Sequence, residues 1–367
     1  MKIILLHLGR KGAGPVFAIE MAKALTLEGH QVISFVSLYA ENKLKWEESG
    51  LSVVYIKTYT TRIQFLLSLF CFKRFNHIIR RIHNEKPDVV YSPMGHLWDI
   101  FLFPFIGKIT KIKTIHDVEL HEGENSFLQR FFSKFRYQFA DGFVVLSSKY
   151  VSELVYRNIP RNNIVVIPHA GFDYYLNNNI SLEHKKIVLF FGRIIKYKGL
   201  DVLLDAMKII HQKDKTIKLR IVGNGDITHY KRKIDELDDS IELHNRWIDD
   251  NEVADFLYDV FLVVLPYTHA SQSGVIPLAY SFSKPVVTTN VGCLSEQVVE
   301  GKTGFVIEPN DPNILAQKII LMFKQRDESI RMGLIANQFA KEELTWKASA
   351  VKLINFVNKL TEKNKIQ

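Results

Sequence analysis

The sequence predicts an α/β protein with two doubly wound parallel sheets in tandem. Three observations predict it: a length of 367 residues, an alternation of short apolar runs with helical segments, and a restart of that alternation near residue 187. A chain of this length is about twice the usual domain size, so two cores are the default expectation. Apolar residues at 47% and aromatics at 12% suffice to fill both, which excludes an intrinsically disordered chain.

The first apolar run is Ile3 to Leu8, followed by a helical stretch from Pro15 to Glu28 and a second run from Gln31 to Ser37. Parallel strands joined by crossover helices produce this rhythm, and strands covered on both faces read as unbroken apolar runs. Val53 to Ile56, Val89 to Ser92, Lys113 to His116, Phe143 to Ser147 and Ile164 to His169 continue the first set. Between Gly171 and Lys186 the chain turns polar, with Asn177, Asn178 and Asn179 in succession, and an interdomain linker is expected there. Ile187 to Phe191 opens a second set, which runs through Leu219 to Val222, Ile241 to Leu243, Phe261 to Leu265, Val286 to Thr289 and Gly304 to Ile307. The expected domains are therefore 1–175 and 185–345, while the helical tail 346–367 either ends the second domain or packs back on the first. Ligands of such sheets bind outside the carboxyl ends of the strands, so the expected site is a cleft that both strand sets face.

No stretch reaches the roughly 20 apolar residues that span a bilayer, and residues 2–8 read as a strand rather than a signal peptide. A cytoplasmic chain is expected, peripheral at most to the inner face of a membrane. Its two cysteines, Cys71 and Cys293, fit neither a metal site nor a disulfide framework. The net charge of +9 is lopsided: residues 1–180 hold 22 basic and 15 acidic side chains, the remainder 26 and 24. An anionic partner for the first domain follows, whether lipid or a phosphorylated substrate. Nucleic acid is not expected, since no helix-turn-helix, zinc or RNA-binding sheet signature accompanies the charge.

Two loops attract attention on chemistry alone. Gly9-Arg10-Lys11-Gly12-Ala13-Gly14-Pro15 is a glycine-rich turn from a strand into a helix, where Gly12 and Gly14 would let the backbone approach a phosphate or sugar, or simply make a tight turn. Phe191-Gly192-Arg193-Ile194-Ile195-Lys196-Tyr197-Lys198-Gly199 sets two cations at a strand end. Arg193 offers a rigid fork of donors and Lys198 a compact ammonium, a pair suited to a nucleotide diphosphate and equally at home in a solvated basic turn.

A third segment concerns surfaces. Arg62, Lys73, Arg74, Arg80, Arg81 and Lys86 surround the apolar residues 65–72, which implies an amphipathic helix with a basic rim. Within 62–86 this reads either as an attachment to an anionic leaflet or as a crossover helix that buries its apolar face.

The second half resembles glycosyltransferase family 4, the retaining enzymes of GT-B architecture. Gly192 to Gly199 resembles that family's diphosphate clamp, and Ile221-Val222-Gly223-Asn224-Gly225 its V-G-x-G turn. Leu265-Pro266-Tyr267, Lys284-Pro285-Val286-Val287 and Gly301-Lys302-Thr303-Gly304-Phe305 follow in the family's order, so the match covers nearly the whole second domain. In the first domain Thr114-Ile115-His116-Asp117 and His121-Glu122-Gly123-Glu124 resemble a histidine loop on the acceptor side.

The resemblance implies a metal-independent transfer that needs no cofactor, with a nucleotide sugar as donor and a glycan or lipid-linked acceptor in cell-surface polysaccharide or glycolipid synthesis. It casts Arg193, Lys198 and His116 as catalytic and Asp117, His121 and Glu124 as acceptor-side residues. Gly12, Gly14, Gly192, Gly223, Asn224, Trp247, Ser271, Gln272, Ser273, Gly274 and Val275 fall on the donor side, with the N–H groups of Gly274 and Val275 at a helix start suited to the diphosphate. One departure stands out: where the family places two glutamates, this chain has Ser271 and Ala279. The lost carboxylates leave open a non-catalytic relative that binds nucleotide sugar, and a nucleotide-sugar epimerase would share the two-domain plan. The sequence does contain no Asp-x-Asp triplet of the kind that brings a metal to a diphosphate.

Overall fold

The computed structural model describes residues 1–116, 135, 137–176 and 184–366, which divide into two compact units. The first holds the described residues up to Pro168 together with Trp346 onward, and the second runs from His169 to Thr345. The first unit thus ends ahead of the boundary expected at residue 175. The physical reason lies in the partners of 169–175. Phe172 N donates to Ser281 Oγ at 2.7 Å, and the hydroxyls of Tyr174 and Tyr175 donate to Asp250 at 3.2 and 3.1 Å.

Among the described residues of the first unit, seven parallel strands lie in the order β3-β2-β1-β4-β5-β6-β7. They are β1 (Lys2–His7), β2 (Gln31–Ser37), β3 (Ser52–Ile56), β4 (Val89–Ser92), β5 (Thr110–Ile115), β6 (Gly142–Val145) and β7 (Ile164–Val166). The central strands β1, β4, β5 and β6 are buried almost throughout, as strands covered on both faces must be. The strand order reverses direction between β1 and β4, so the natural crevice of this unit opens outside their carboxyl ends.

The last helix, Trp346–Ile366, packs within this unit on the helix Ala13–Leu27 and on β5 to β7. Trp346 meets Phe17 edge to face at 4.9 Å, and Gly142 leaves room for Leu360 and Phe356, which lie 2.5 and 2.8 Å from where a Cβ would stand.

The second unit has six described strands in the order β10-β9-β8-β11-β12-β13. Here β8 is Ile187–Phe191, β9 Lys218–Val222, β10 Ile241–His244, β11 Leu262–Leu265, β12 Val286–Thr289 and β13 Gly304–Ile307. The helix Leu200–His211 buries Leu200, Leu203, Leu204, Met207 and Ile210 at helical spacing, and packs them with Val188, Phe190 and Leu219. The switch in strand order falls between β8 and β11.

The segment 62–86 resolves into two helices rather than one. Phe72–Glu85 turns Phe75, Ile78, Ile79 and Ile82 into the first unit's core, so its apolar face is a crossover face and not a membrane face. Arg62–Ser68 does the reverse and leaves Ile63, Leu66 and Leu67 exposed, followed by exposed Phe70 and Phe72. No helix among the described residues is long and apolar enough to cross a membrane.

Glycine geometry at the second unit's strand ends gives a test. Gly199 has φ of 70°, and a Cβ there would stand 1.8 Å from Pro266 O, whereas Gly301 has φ of 71° with nothing within 4 Å. Gly301→Ala should cost about 1 kcal/mol, the penalty of a left-handed alanine alone. Gly199→Ala should cost at least about 3 kcal/mol, since the backbone must also move. Urea denaturation of the two variants checks the difference; equal losses would show that the close approach is unimportant.

Candidate functional site

In the second unit the residues that carry chemistry gather where β8, β9 and β11 end. Past β8 the chain makes the turn Gly192, with φ of 113°, donating its N–H to Val222 O at 2.9 Å. Ile194 N then donates to Asn224 O at 2.8 Å, so the two turns run against each other. The contact has no space for side chains. A Cβ on Gly223 would stand 2.0 Å from Gly192 O, and one on Gly225 2.1 Å from Ile194 O.

Lys198 closes a short 3-10 turn, Lys196–Lys198, and its Nζ reaches back to within 2.7 Å of where a Cβ on Gly192 would be. It also lies 5.0 Å from the centroid of the Tyr267 ring, which stands at the end of β11. A half-buried ammonium is thereby held at the switch point, with the exposed Arg193 two positions past β8. Trp247, half-buried, follows β10, two strands away from β8, or about 10 Å across the sheet.

The segment after β11 is held by its own hydrogen bonds. Gln297 accepts from Ser273 N at 3.1 Å and donates to Ser273 O at 3.0 Å. Ser273 Oγ accepts from Val275 N at 3.2 Å, a local bond at the start of the helix Val275–Ser281. Ser271 is buried, and the Oε1 of Gln272 is buried without a hydrogen-bond partner. Ala279 is fully buried. Gly274 faces His169, whose Nε2 lies 3.4 Å from where a side chain would begin. The sequence reading passed over His169, although it ends an apolar run just as His116 does.

The first unit brings three imidazoles to the ends of β1, β4 and β5. His116 Nε2 donates to Pro93 O at 2.9 Å, which fixes the tautomer, and its ring meets Phe17 edge to face at 5.3 Å. His96 accepts from Trp98 N at Nδ1 (3.1 Å), so its Nε2 donates to the Tyr59 hydroxyl at 3.0 Å. His7 is fully buried with no hydrogen-bond partner on either ring nitrogen. Burial, and then the neighbouring His96 and His116, push its pKa down to about 3. Burial takes His96 down to about 4, with Asp99 opposing and Lys113 reinforcing the shift.

Beneath these rings Lys113 and Asp99 form an ion pair of 3.1 Å, at 6% and 2% side-chain exposure. Ser92 Oγ and His96 N also donate to Asp99 Oδ2. Apart from His116, none of these groups was singled out by the sequence. His7 reads as one more residue of a strand, and the pairing of Lys113 with Asp99 depends on two distant segments meeting.

Gly12, with φ of 85°, caps the helix Ala13–Leu27 and donates its N–H to Glu41 Oε1 at 2.6 Å. Gly14 is buried, with its missing Cβ 3.1 Å from the His7 ring. Asp117, His121 and Glu124 lie outside the described residues. Among the described residues no three His, Cys, Asp or Glu side chains are grouped to hold a metal ion.

Residues 14–170 match the family model described as Glycosyltransferase Family 4, and residues 185–325 the one described as Glycosyl transferases group 1. An uncharacterized glycosyltransferase of Methanocaldococcus jannaschii is 28% identical over 239 residues, 64% of this chain and 64% of its own length, so this chain spans just under two thirds of that relative. The capsular polysaccharide biosynthesis glycosyltransferase CapM of Staphylococcus aureus is 27% identical over 277 residues, 69% of this chain and 71% of its own. Among solved structures, Anabaena HepE in complex with UDP and glucose aligns with a TM-score of 0.76 at 17% identity, over 98% of this chain and 99% of its own. A variant of S. aureus TarM, in complex with fondaparinux, α-GlcNAc-glycerol and UDP, aligns at 0.71 and 14% identity, over 98% and 100%. These structures establish the GT-B fold for this chain.

The two depressed imidazoles set a pH dependence. Unfolded, each takes a proton near pH 6.5; folded, each stays neutral down to 3 or 4. The unfolded chain therefore binds more protons in between, so stability is complete above about pH 6.5 and falls on acidification by up to about 1.4 kcal/mol per pH unit per imidazole. Urea midpoints between pH 7.5 and 4.5 check this, and His7→Gln should flatten the curve by about one proton. An unchanged slope in the variant would mean that His7 is not held neutral.

Proposed function

We propose that this chain, which belongs to the glycosyltransferases of family 4 and group 1, transfers a sugar from a nucleotide diphosphate with retention of anomeric configuration. The observation that carries this reading is the cationic end of β8, where the Lys198 ammonium lies back over Gly192 beside the Tyr267 ring and the exposed Arg193 follows Gly192 in the chain. Two positive groups at a strand end suit the negative charge that grows on a departing diphosphate. The half-buried Trp247 offers an aromatic edge about 10 Å along the sheet, a distance that suits the base of the same nucleotide.

In the proposed step the acceptor oxygen bonds to the anomeric carbon on the face from which the diphosphate leaves. The bond from that carbon to the phosphate oxygen breaks, and the departing oxygen receives the acceptor's proton. No enzyme nucleophile and no metal are then needed, because Arg193 and Lys198 supply the charge stabilisation and the remaining task is positioning. His116, whose Nε2 is committed to Pro93 O, serves that task at the end of β5. Gln272 and Ser271 take the donor sugar's hydroxyls in place of a carboxylate. The unsatisfied Gln272 Oε1 supports this assignment, since a buried acceptor without a donor costs free energy that a ligand hydroxyl would recover.

For the acceptor, a glycan or lipid-linked sugar in polysaccharide or glycolipid synthesis fits the capsular polysaccharide biosynthesis of CapM and the ligands of HepE and TarM. The exposed apolar residues between Ile63 and Phe72, with Arg62 and Lys73 alongside, favour a peripheral position at the inner face of an anionic membrane.

Arg193→Ala combined with Lys198→Ala should lower transfer from the preferred donor by about 10³ or more while the far-ultraviolet circular dichroism stays native. Undiminished transfer would remove the proposal. Chelation with EDTA should leave the rate unchanged, and NMR of the product should show the donor's anomeric configuration. A rate abolished by EDTA and restored by Mn²⁺ would contradict the metal-free step. Screening UDP-, GDP- and ADP-sugars by thermal shift identifies the base, because a ligand bound only by the folded chain raises its melting temperature.

A further inference from the structure

We propose that a pocket at the carboxyl ends of β2 and β3 binds the phosphate of an anionic membrane lipid, with the lipid's chains against the exposed apolar ridge beside it. This rests on the reading of the first unit as the acceptor side. The pocket has a volume of about 510 Å³ and is lined by Tyr39, Lys57, Thr58, Gln64 and Arg74 among others, with no carboxylate in its wall.

Both cations are available to a ligand. Neither Lys57 nor Arg74 has an ion-pair partner among the described residues. Arg74 is nevertheless held in place: its Nη1 donates to Thr58 O at 2.9 Å and its guanidinium lies 5.7 Å from the Trp98 ring centroid. Its remaining donors are thus pre-positioned at the wall, the arrangement that makes arginine effective toward phosphate. Thr58 and Tyr39 add hydroxyl groups, the former already bonded to Ser37 Oγ at 2.6 Å.

The surroundings choose a lipid over a soluble anion. Leu67 lines the pocket and belongs at the same time to a ridge with Ile63, Phe70 and Phe72, each of the four between 66% and 77% exposed. Four large apolar side chains left in water beside a cationic pocket match the two parts of a phospholipid, a charged head and a hydrocarbon body. The charge pattern agrees, since no Asp or Glu occurs between Glu48 and Glu85, while Lys57, Arg62, Lys73, Arg74, Arg80 and Arg81 do. The pocket also adjoins the imidazoles: Tyr59, between the pocket residues Thr58 and Thr60, bonds His96 at 3.0 Å. A lipid held here would sit next to the crevice at β1 and β4.

Vesicle flotation tests the site with the full chain at about 150 mM salt. Vesicles of phosphatidylcholine containing phosphatidic acid should bind the protein, and phosphatidylcholine alone should not. Lys57→Glu, an exposed position, should weaken binding at least about tenfold. Phe70→Ser with Phe72→Ser, which leaves the pocket intact, should also weaken it. Arg80→Glu with Arg81→Glu, outside the pocket, should weaken it less than Lys57→Glu alone. If that pair matches or exceeds Lys57→Glu, attraction is diffuse and the pocket is not a site. Absence of binding to phosphatidic acid vesicles overturns the proposal, as does stabilisation by inorganic phosphate alone without vesicle binding, which would make the ligand a soluble anion. The Arg193→Ala, Lys198→Ala chain should float like the wild type, so that a failure of transfer is read separately from a failure of docking.

Discussion

At the head of the second sheet the carbonyl oxygens of Gly192, Ile194 and Pro266 stand where side chains on Gly223, Gly225 and Gly199 would have to be, and the shape of the turns there depends on that steric constraint. Because nothing but backbone fits, the turn after β8 donates two hydrogen bonds to the end of β9 and its turn, and Lys198 can fold back over Gly192. A side chain at any of these places would push the strand ends apart and release the ammonium into solvent. Glycine here is a matter of distance as much as of positive φ.

The first sheet is organised by a different constraint, the cost of burying polar groups. Its central strand ends in His7, which is fully enclosed, while β5 carries Lys113, paired with Asp99 in near-complete burial. Such groups are tolerated when they are neutral or paired, and both solutions occur within one cluster. His96 is neutral and bonded at both nitrogens, Lys113 is charged and paired, and His7 is neutral with both nitrogens unanswered.

The helices 62–68 and 72–85 show how one stretch of sequence divides its work. Both are apolar with basic neighbours, and composition treats them alike. The second buries its isoleucines under the sheet, where a crossover helix must cover β-strand surface, and keeps Arg80 and Arg81 outside. The first is seven residues long and caps itself through Thr61, whose hydroxyl accepts from Gln64 N. It is too short to cover a sheet and carries its leucines outward.

The sequence by itself determined most of the strands and their two sets, because strands buried on both faces are mainly apolar and that shows in any linear reading, β5 with its buried Lys111 and Lys113 being the exception. It also determined the cationic turn at Arg193 and Lys198, since local glycine spacing dictates how a chain leaves a strand. Tertiary structure alone decided what lies far apart in the chain: the pairing of Lys113 with Asp99, the gathering of His7, His96 and His116, the capture of the Gly12 N–H by Glu41, and the packing of helix Trp346–Ile366 against Phe17 and Gly142. It decided too that Val275 spends its N–H on Ser273 and that the apolar residues of 72–85 face inward. The reason is physical. Periodicity reports whether a residue will be buried, but the identity of its partner depends on which strand lies next to which, and that order is set only when the whole sheet assembles.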